Sequence, residues 1–248
     1  KSLGVNRLSI GVESFDADKI KVLSRIHSIE DAVEAIGAAK SAGFDNIGLD
    51  LIYGTPGETI AAWNRDLETA IGFKAAHLSC YMLTLEPGTR LQAQYEQGLY
   101  PAAGSGLLTD LFIATAALLV QHGYDHYEIS NFAKGVQNRS QHNSAYWQMI
   151  PYDGFGPAAH SFGPLAKKGQ GKVDSCRVSP VRSWNLANVT AYIQALASGK
   201  LPVHEQEVLS LQQQVLERVM LGLRTSDGID IAAVEKITSQ DFSATFDR

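Results

Sequence analysis

Three charged residues near the start of the chain have types and spacing suited to binding a small charged ligand. Glu13 ends one apolar stretch, Arg25 follows twelve residues later, and Asp50 stands in the next apolar stretch. A guanidinium offers a bidentate fork to a carboxylate, and an acidic side chain accepts hydrogen bonds from ribose hydroxyls. Arg25 and Asp50 could instead form a simple ion pair at the strand ends, which the residue types alone favour.

A second group combines one imidazole with two aromatic rings in the run His142-Asn-Ser-Ala-Tyr-Trp. Neutral imidazole is a common metal ligand, including for haem iron, and Tyr and Trp rings offer flat apolar faces. A lone histidine in such a segment more often has a structural role, and we expect His160, further along, to be a packing residue.

Composition excludes several classes of protein. The 248 residues are 45% hydrophobic and 19% charged, which is typical of an ordinary soluble domain. The longest nearly apolar run, 111–120, is too short to cross a bilayer, and no targeting signal is visible, so we expect a cytoplasmic protein. A formal net charge of -5 without a Lys/Arg block argues against nucleic acid as a partner.

The chain contains two cysteines, Cys80 and Cys176. Two thiolates are too few for a four-cysteine zinc site or for an iron–sulfur cluster. Their sequence contexts give no reason to pair them in a disulfide.

The elements that must position the charged residues follow a repeated unit. In each copy a helix ends at glycine, an apolar and a polar residue follow, and a short apolar strand begins soon afterwards. Strands are predicted over 7–13, 47–53 and 127–132, and over 78–85 in a looser copy. Glycine adopts the left-handed conformation that lets the chain leave a helix and return to a sheet. Helices are predicted over 29–42 with a capping box at Ser28, after Thr59, and over 107–122.

Strands that alternate with helices at this spacing predict parallel strands with right-handed crossovers. Ligands of such folds bind at the carboxyl ends of the strands, where Glu13, Tyr53 and Thr84 lie. The segment 133–164 is rich in Gly, Pro and aromatic residues and is predicted to be irregular. Further helices are predicted near 188–198 and over 211–223 and 230–237, and we place a domain boundary near residue 170.

Four segments carry a family resemblance when taken together. They are GVNRLSIGVESF from residue 4, LSRIH from residue 23, LDLIYGTPGET from residue 49, and YEISNFA from residue 127 with HNSAYW from residue 142. In this order and spacing the chain resembles the radical S-adenosylmethionine (SAM) proteins of the oxygen-independent coproporphyrinogen oxidase group. The resemblance implies an α/β fold with a partial (β/α)6 barrel over 1–170 and a small, mainly helical, truncated C-terminal region over 171–248.

The resemblance also implies cofactors. Glu13, Arg25, Asp50 and Thr84 match positions that contact SAM, although the family usually has glutamine where Glu13 stands. A glutamate keeps the acceptor, loses the donor and adds a charge. In the family a [4Fe–4S] cluster is held by a CxxxCxxC segment upstream of the strand at 7–13. That triplet is absent and Lys1 is not a methionine, so we expect a fragment whose cluster ligands lie outside it.

Within this group, haem chaperones carry an HNxxYW signature that the coproporphyrinogen dehydrogenases lack. The resemblance therefore implies that His142, Asn143, Tyr146 and Trp147 bind haem, with His142 ligating the iron. Members often have cysteine two residues before this histidine, where Ser140 stands here. The expected function is a chaperone that binds haem or a related porphyrin and delivers it to haem-accepting proteins, including membrane-associated respiratory ones.

The alternative within the group is an enzyme. An oxygen-independent coproporphyrinogen III oxidase converts coproporphyrinogen III to protoporphyrinogen IX, with a 5′-deoxyadenosyl radical that abstracts hydrogen from propionate side chains. An unrelated α/β-barrel enzyme would require the four matching segments to be accidental. The run from His142 to Trp147 favours the chaperone.

Overall fold

A computed structural model of the protein describes residue 1, residues 3–164 and residues 179–238. By compactness the chain divides into two units, Lys1–Arg139 and Ser140–Arg248. The domain boundary near residue 170 and Cys176 both lie outside the described residues, so the domain limits given above stay a prediction.

The first unit is an α/β domain built on a five-stranded sheet. Its elements are β1 (Arg7–Glu13), α1 (Ala17–Val22), α2 (Ile29–Ser41), β2 (Asn46–Tyr53), α3 (Ile60–Gly72), β3 (His77–Met82), α4 (Arg90–Glu96), α5 (Ser105–Gln121), β4 (Asp125–Glu128) and β5 (Asn131–Ala133). The strand order is β1-β2-β3-β5-β4, and β1, β2 and β3 are parallel. The predicted parallel arrangement is therefore confirmed for the first three strands.

The last two strands correct the prediction of a single parallel strand over 127–132. β4 and β5 form an antiparallel hairpin, and β5 inserts between β4 and β3, antiparallel to both. The Glu128 carboxylate holds the turn, because it accepts hydrogen bonds from the Ser130 N–H and the Asn131 amide. The Ser130 carbonyl then accepts from the Cys80 N–H at 2.8 Å. A short polar turn thus reverses a strand that looks continuous in sequence.

One face of the sheet forms the hydrophobic core with α2, α3 and α5. Side chains alternate along a strand, so every second residue of β1, β2 and β3 points to these helices. The largest buried side chain, Trp63 on α3, donates from its indole N–H to the Thr115 hydroxyl on α5 at 2.7 Å. The core members are Val12, Ala32, Ile36, Ala39, Ile47, Leu49, Leu51, Tyr53, Trp63, Leu67, Ala70, Ala75, Leu78, Cys80, Leu111, Leu119, Tyr124 and Phe132.

The predicted helix starts are confirmed at their caps. Ser28 accepts from the Asp31 N–H while the Asp31 carboxylate accepts from the Ser28 N–H, which is the predicted capping box of α2. Thr59 caps α3 through the Ala62 N–H. These caps satisfy N–H groups that have no partner within the helix.

The second unit contains a three-stranded antiparallel sheet and four helices among its described residues. Its elements are α6 (Gln141–Trp147), β6 (His160–Pro164), β7 (Pro180–Asn185), α7 (Val189–Ala197), β8 (Val203–Val208), α8 (Leu211–Gly222) and α9 (Ile231–Thr238). The order of the strands is β6-β7-β8. The predicted C-terminal helices are confirmed, and two strands lie among them. The segment 133–164 was expected to be irregular, yet it forms α6 and β6. Over residues 3–164 and 179–238, no helix is long and apolar enough to cross a membrane.

A buried ion cluster holds the connections that follow β1 and β2. The Lys19 ammonium on α1 contacts the carboxylates of Glu58, in the loop after β2, and Asp66, on α3. These side chains are at most 9% exposed. Asp66 also accepts from the Ser14 hydroxyl at 2.7 Å and the Phe15 N–H at 2.9 Å. Every charge in the cluster therefore has a partner, which is the condition for burying it.

We predict that Lys19→Met lowers the free energy of unfolding by about 3–5 kcal/mol, because it leaves two buried carboxylates without their cation. Urea denaturation measures the change. Lys21→Met is the matched control on the same helix, since Lys21 pairs with Asp18 in solvent and its loss should cost less than about 1 kcal/mol. Equal unfolding midpoints for Lys19→Met and the control would contradict the assignment.

Candidate functional site

The face of the sheet opposite the helices is polar. We call it the polar face. Alternation places on it Ile52 and nine polar or glycine residues, which are Arg7, Ser9, Gly11, Asn46, Gly48, Asp50, His77, Ser79 and Tyr81. Gly11 and Ser79 are the residues of β1 and β3 that lie opposite Asp50. Asp50 thus occupies the middle of this face.

Asp50 and Arg7 are fixed by neighbouring strands. The Ser9 hydroxyl donates to Asp50 Oδ2 at 2.8 Å. The Arg7 guanidinium donates to Asn46 Oδ1 at 3.0 Å and to the Asn138 carbonyl at 2.9 Å. One hydroxyl occupies only part of the acceptor capacity of the Asp50 carboxylate.

Glu13 and Arg25 form an ion pair at the carboxyl end of β1. Arg25 Nη2 lies 3.0 Å from Glu13 Oε1, with the arginine side chain 43% exposed and the glutamate 14%. The residue types had suggested an ion pair between Arg25 and Asp50. In the structure, Arg25 pairs with Glu13 instead. The Glu13 carboxylate lies over Gly11, since a side-chain carbon added at Gly11 would be 3.2 Å from Oε1. Because Gly11 lies opposite Asp50 in the sheet, the Glu13 carboxylate lies on the same face as Asp50.

The backbone around this pair is unusual. Glu13 has a φ of 65°, and the register with β2 shifts between Gly11 and Glu13. A non-glycine residue in this region costs about 1–3 kcal/mol and often marks a functional site. Ser24, with a φ of 54°, ends α1 just before Arg25. His27 then contacts the Val12 carbonyl at 3.3 Å and ties the Arg25 segment to β1.

Thr84 lies two residues beyond the end of β3 and is exposed. Parallel strands end at the same edge, so Thr84 is at the same carboxyl edge as Glu13. The loop that follows β2 shapes this edge: Glu58 accepts from the N–H groups of Gly54 and Thr55. Gly54 has a φ of 83°, and a side-chain carbon there would come within 2.7 Å of Leu108. The loop therefore has a structural role at this edge.

Sequence reasoning singled out Asp50 on the polar face and missed its other side chains, among them His77 and Tyr81. His77 Nε2 and the Tyr127 hydroxyl are joined by a hydrogen bond of 2.8 Å. Burial, helped by the positive charge of Arg7, lowers the pKa of His77 to about 3. Burial also raises the pKa of Tyr81. Strict alternation of Arg7, Ser9 and Gly11 with apolar residues was the sequence signal that could have revealed this face.

The predicted haem-binding run forms helix α6. Ser140 caps the helix by accepting from the Asn143 N–H at 3.2 Å. His142 is exposed, and Tyr146 lies one turn later with its ring edge-to-face on the imidazole at a centroid distance of 4.8 Å. Tyr146 then contacts Tyr152 at 4.7 Å. The helix therefore presents an accessible imidazole supported by two aromatic rings.

Trp147 and His160 have different surroundings. The guanidinium of Arg224 lies 4.9 Å from the Trp147 ring centroid, so a cation covers one face of the indole. His160 stacks on Trp184 at a centroid distance of 5.7 Å. His160 is exposed, so it stacks on Trp184 at the surface of the unit and is not a core-packing residue.

This fold and this arrangement define a class of protein: the chain belongs to the radical SAM superfamily. Residues 1–70 match the model of the Radical SAM superfamily, and residues 209–248 match the HemN C-terminal domain. The polar-face residues of β1 and β2 and the edge residues Glu13, Arg25 and Asp50 all lie within the first match.

Named relatives narrow this class. The chain is 31% identical over 229 residues to the heme chaperone HemW of Bacillus subtilis (strain 168), covering 92% of this chain and 56% of that protein. It is 34% identical over 227 residues to the mitochondrial radical S-adenosyl methionine domain-containing protein 1 of Bos taurus, covering 91% and 49%. The chain thus spans about half the length of the curated relatives it matches.

A solved structure supports the fold. Coproporphyrinogen III oxidase (HemN) from Escherichia coli, a radical SAM enzyme, superposes with a TM-score of 0.71 at 20% identity, covering 99% of this chain and 55% of that one. At this identity the similarity concerns the fold, which is the α/β radical SAM fold expected from sequence.

We predict that His77→Gln flattens the acid dependence of stability. The folded chain keeps His77 neutral down to a pKa of about 3, whereas the unfolded chain takes up the proton near its ordinary value of about 6.5. Acidification from about pH 7 to about pH 5 therefore favours the unfolded state, by about 2 kcal/mol from this residue.

Urea denaturation at the two pH values measures this effect. His122→Gln is the control, because His122 is exposed at the end of α5. An acid dependence that is identical in wild type and His77→Gln would show that His77 titrates normally.

Proposed function

We propose that this chain is the SAM-binding and haem-binding part of a radical SAM haem chaperone of the HemW type. Its first unit would bind SAM at the carboxyl edge of the polar face, and its second unit would bind haem on α6. The observation that carries the proposal is the exposed His142 on a capped helix, in contact with Tyr146, within a run that matches the haem-chaperone signature.

The residues at the sheet edge fit SAM. This molecule carries a carboxylate, an ammonium group and ribose hydroxyls, and Arg25, Glu13 and Asp50 are their respective complements. Arg25 is nearly half-exposed and can exchange its partner, while Ser9 holds Asp50 in a fixed orientation. Thr84 would border the same ligand from β3.

The [4Fe–4S] cluster of the superfamily does not fit the residues of this chain. It needs three cysteines in this family, and the 248 residues contain two. Cys80 is buried in the core, where burial raises the pKa of its thiol, and this opposes the thiolate that a cluster requires. No group of metal-ligating side chains occurs among the described residues either. We therefore derive no radical step from this chain.

The residues of α6 divide the binding of haem between them. His142 would ligate the iron through its accessible imidazole. Tyr146 would support the imidazole and offer an apolar surface. Asn143, the residue after His142, would border the porphyrin. Trp147 has one face under Arg224, so we assign it to holding α6 in place as much as to contacting haem.

The delivery of haem is part of the same proposal. The acceptors would be haemoproteins, including membrane-associated respiratory ones, and the transfer would take place in the cytoplasm.

A second candidate function is oxygen-independent oxidation of coproporphyrinogen III, favoured by the match of residues 209–248 to the HemN C-terminal domain. The radical SAM fold is common to both proteins, and the α6 helix carries the difference.

We predict that Glu13→Gln weakens SAM binding by up to about fivefold. The substitution removes the carboxylate that would pair with the ammonium group of SAM, and a partly exposed ion pair is worth up to about 1 kcal/mol. The release of Arg25 from its pair with Glu13 offsets part of this loss. Arg25→Gln should weaken binding about tenfold or more, because it removes a charge-assisted hydrogen bond. Isothermal titration calorimetry measures both affinities.

Glu30→Gln, an exposed carboxylate in the first turn of α2, is the control for the change in net charge. If Glu13→Gln and Arg25→Gln both bind SAM as the wild type does, SAM does not use this edge.

We predict that haem binds the wild-type chain with a Soret band that survives gel filtration, and that His142→Ala loses this band. His204→Ala is the control, because His204 is also exposed in the second unit. Retention of the full Soret band by His142→Ala would rule out iron ligation by this residue. Tighter binding of coproporphyrinogen III than of haem would favour the oxidase instead.

A further inference from the structure

The second unit contains a cavity that none of the functions above uses. Its volume is about 470 Å³, within the range of roughly 300–1,000 Å³ that is usual for small-molecule sites. It lies among β6, α8 and α9. Its walls are mostly apolar, and the apolar residues that line it are Met149, Pro151, Phe162, Pro164, Pro180, Leu211, Ala233 and Ile237.

One cation of this cavity has no partner among the described residues. Arg218, on α8, lines the cavity, and within the described part of the chain it makes no hydrogen bond or ion pair. Its Nε atom is shielded from solvent and has no acceptor. Arg182 in the same unit shows the usual arrangement, since it pairs with Glu207 at 3.4 Å and Glu217 at 2.7 Å.

Arg218 lines this mostly apolar cavity with a positive charge that no acidic side chain of the described residues offsets. An anionic group in the cavity would supply the missing counter-charge. Lys236 also lines the cavity. The lining residues that the structure describes include no acidic side chain, so an anion would meet no repulsion from these walls.

We propose that this cavity binds a large apolar molecule that carries a carboxylate, with the carboxylate on Arg218 and the apolar body against Met149, Phe162 and Leu211. A long-chain fatty acid and the propionate edge of a tetrapyrrole share this chemistry. The proposal goes beyond the proposed function, because it requires no iron and no ligation by His142.

The aromatic residues of the unit connect this cavity to α6. Tyr146 contacts Tyr152, and Tyr152 lies 6.2 Å from Phe162 between ring centroids. Phe162 is a wall of the cavity. A tetrapyrrole bound at α6 and a tetrapyrrole bound in the cavity would therefore contact the same series of aromatic rings, Tyr146, Tyr152 and Phe162.

The test uses the whole chain and a fluorescent fatty acid, dansyl-undecanoic acid, below its micellar concentration. We expect saturable binding that weakens at least tenfold in Arg218→Met, which removes the charge, and in Ala233→Trp, which fills the cavity. Arg65→Met, an exposed arginine of α3 in the first unit, should leave binding unchanged. Circular dichroism verifies that each variant is folded.

Displacement of the fluorescent probe by unlabelled competitors shows which class of carboxylate ligand the cavity binds. Displacement by oleate favours a fatty acid, and displacement by metal-free protoporphyrin IX favours a tetrapyrrole; either supports the site. Equal displacement by oleyl alcohol would overturn the role of the carboxylate. Absence of saturable binding, or equal affinity in Arg218→Met and wild type, would overturn the proposal. His142→Ala should bind the probe normally, so this test and the haem test can fail independently.

Discussion

The buried cluster of Lys19, Glu58 and Asp66 is the interaction on which the first unit depends. One ammonium group joins the connection after β1 to the connection after β2 and to helix α3. Glu58 in turn binds the N–H groups of Gly54 and Thr55, so both connections take a fixed shape. The segment that carries Arg25 continues directly from the helix that Lys19 anchors. The geometry of the candidate SAM edge therefore follows from a charge cluster that does not itself face the ligand.

A single sheet then serves two purposes through the alternation of its side chains. Its apolar face packs against three helices and stabilises the unit, while its polar face carries Asp50, Arg7 and His77. Charges on that face are held by hydrogen bonds from neighbouring strands, as with Ser9 and Asp50, so they are oriented before any ligand arrives. In the second unit, a capped helix and a row of aromatic rings orient His142 in a comparable way.

Local signals in the sequence predicted the elements that depend on local forces. The capping box at Ser28, the cap at Thr59 and the extent of β1 all follow from nearby residues, and the family segments located Glu13, Arg25 and His142. The pairing of Arg25 with Glu13 could not be predicted, because it depends on the left-handed backbone at Glu13 and on a bulge in β1.

Features that depend on distant contacts were missed for the same reason. The turn that reverses the chain between β4 and β5 is stabilised by a hydrogen bond to Cys80 on β3, fifty residues earlier. The sheet of the second unit pairs β6 with β7 across a long sequence separation. Lys19 also looks like an ordinary helix-surface lysine in sequence, and only its carboxylate partners on other elements explain its burial.

The most direct test of the account is the electron paramagnetic resonance spectrum of the ferrous nitrosyl haem complex of this chain. If His142 ligates the iron opposite nitric oxide, the spectrum will show additional hyperfine splitting from an imidazole nitrogen. That splitting should disappear in His142→Ala and remain in His160→Ala. Imidazole splitting that persists in His142→Ala would contradict the assignment of α6 as the haem-binding element.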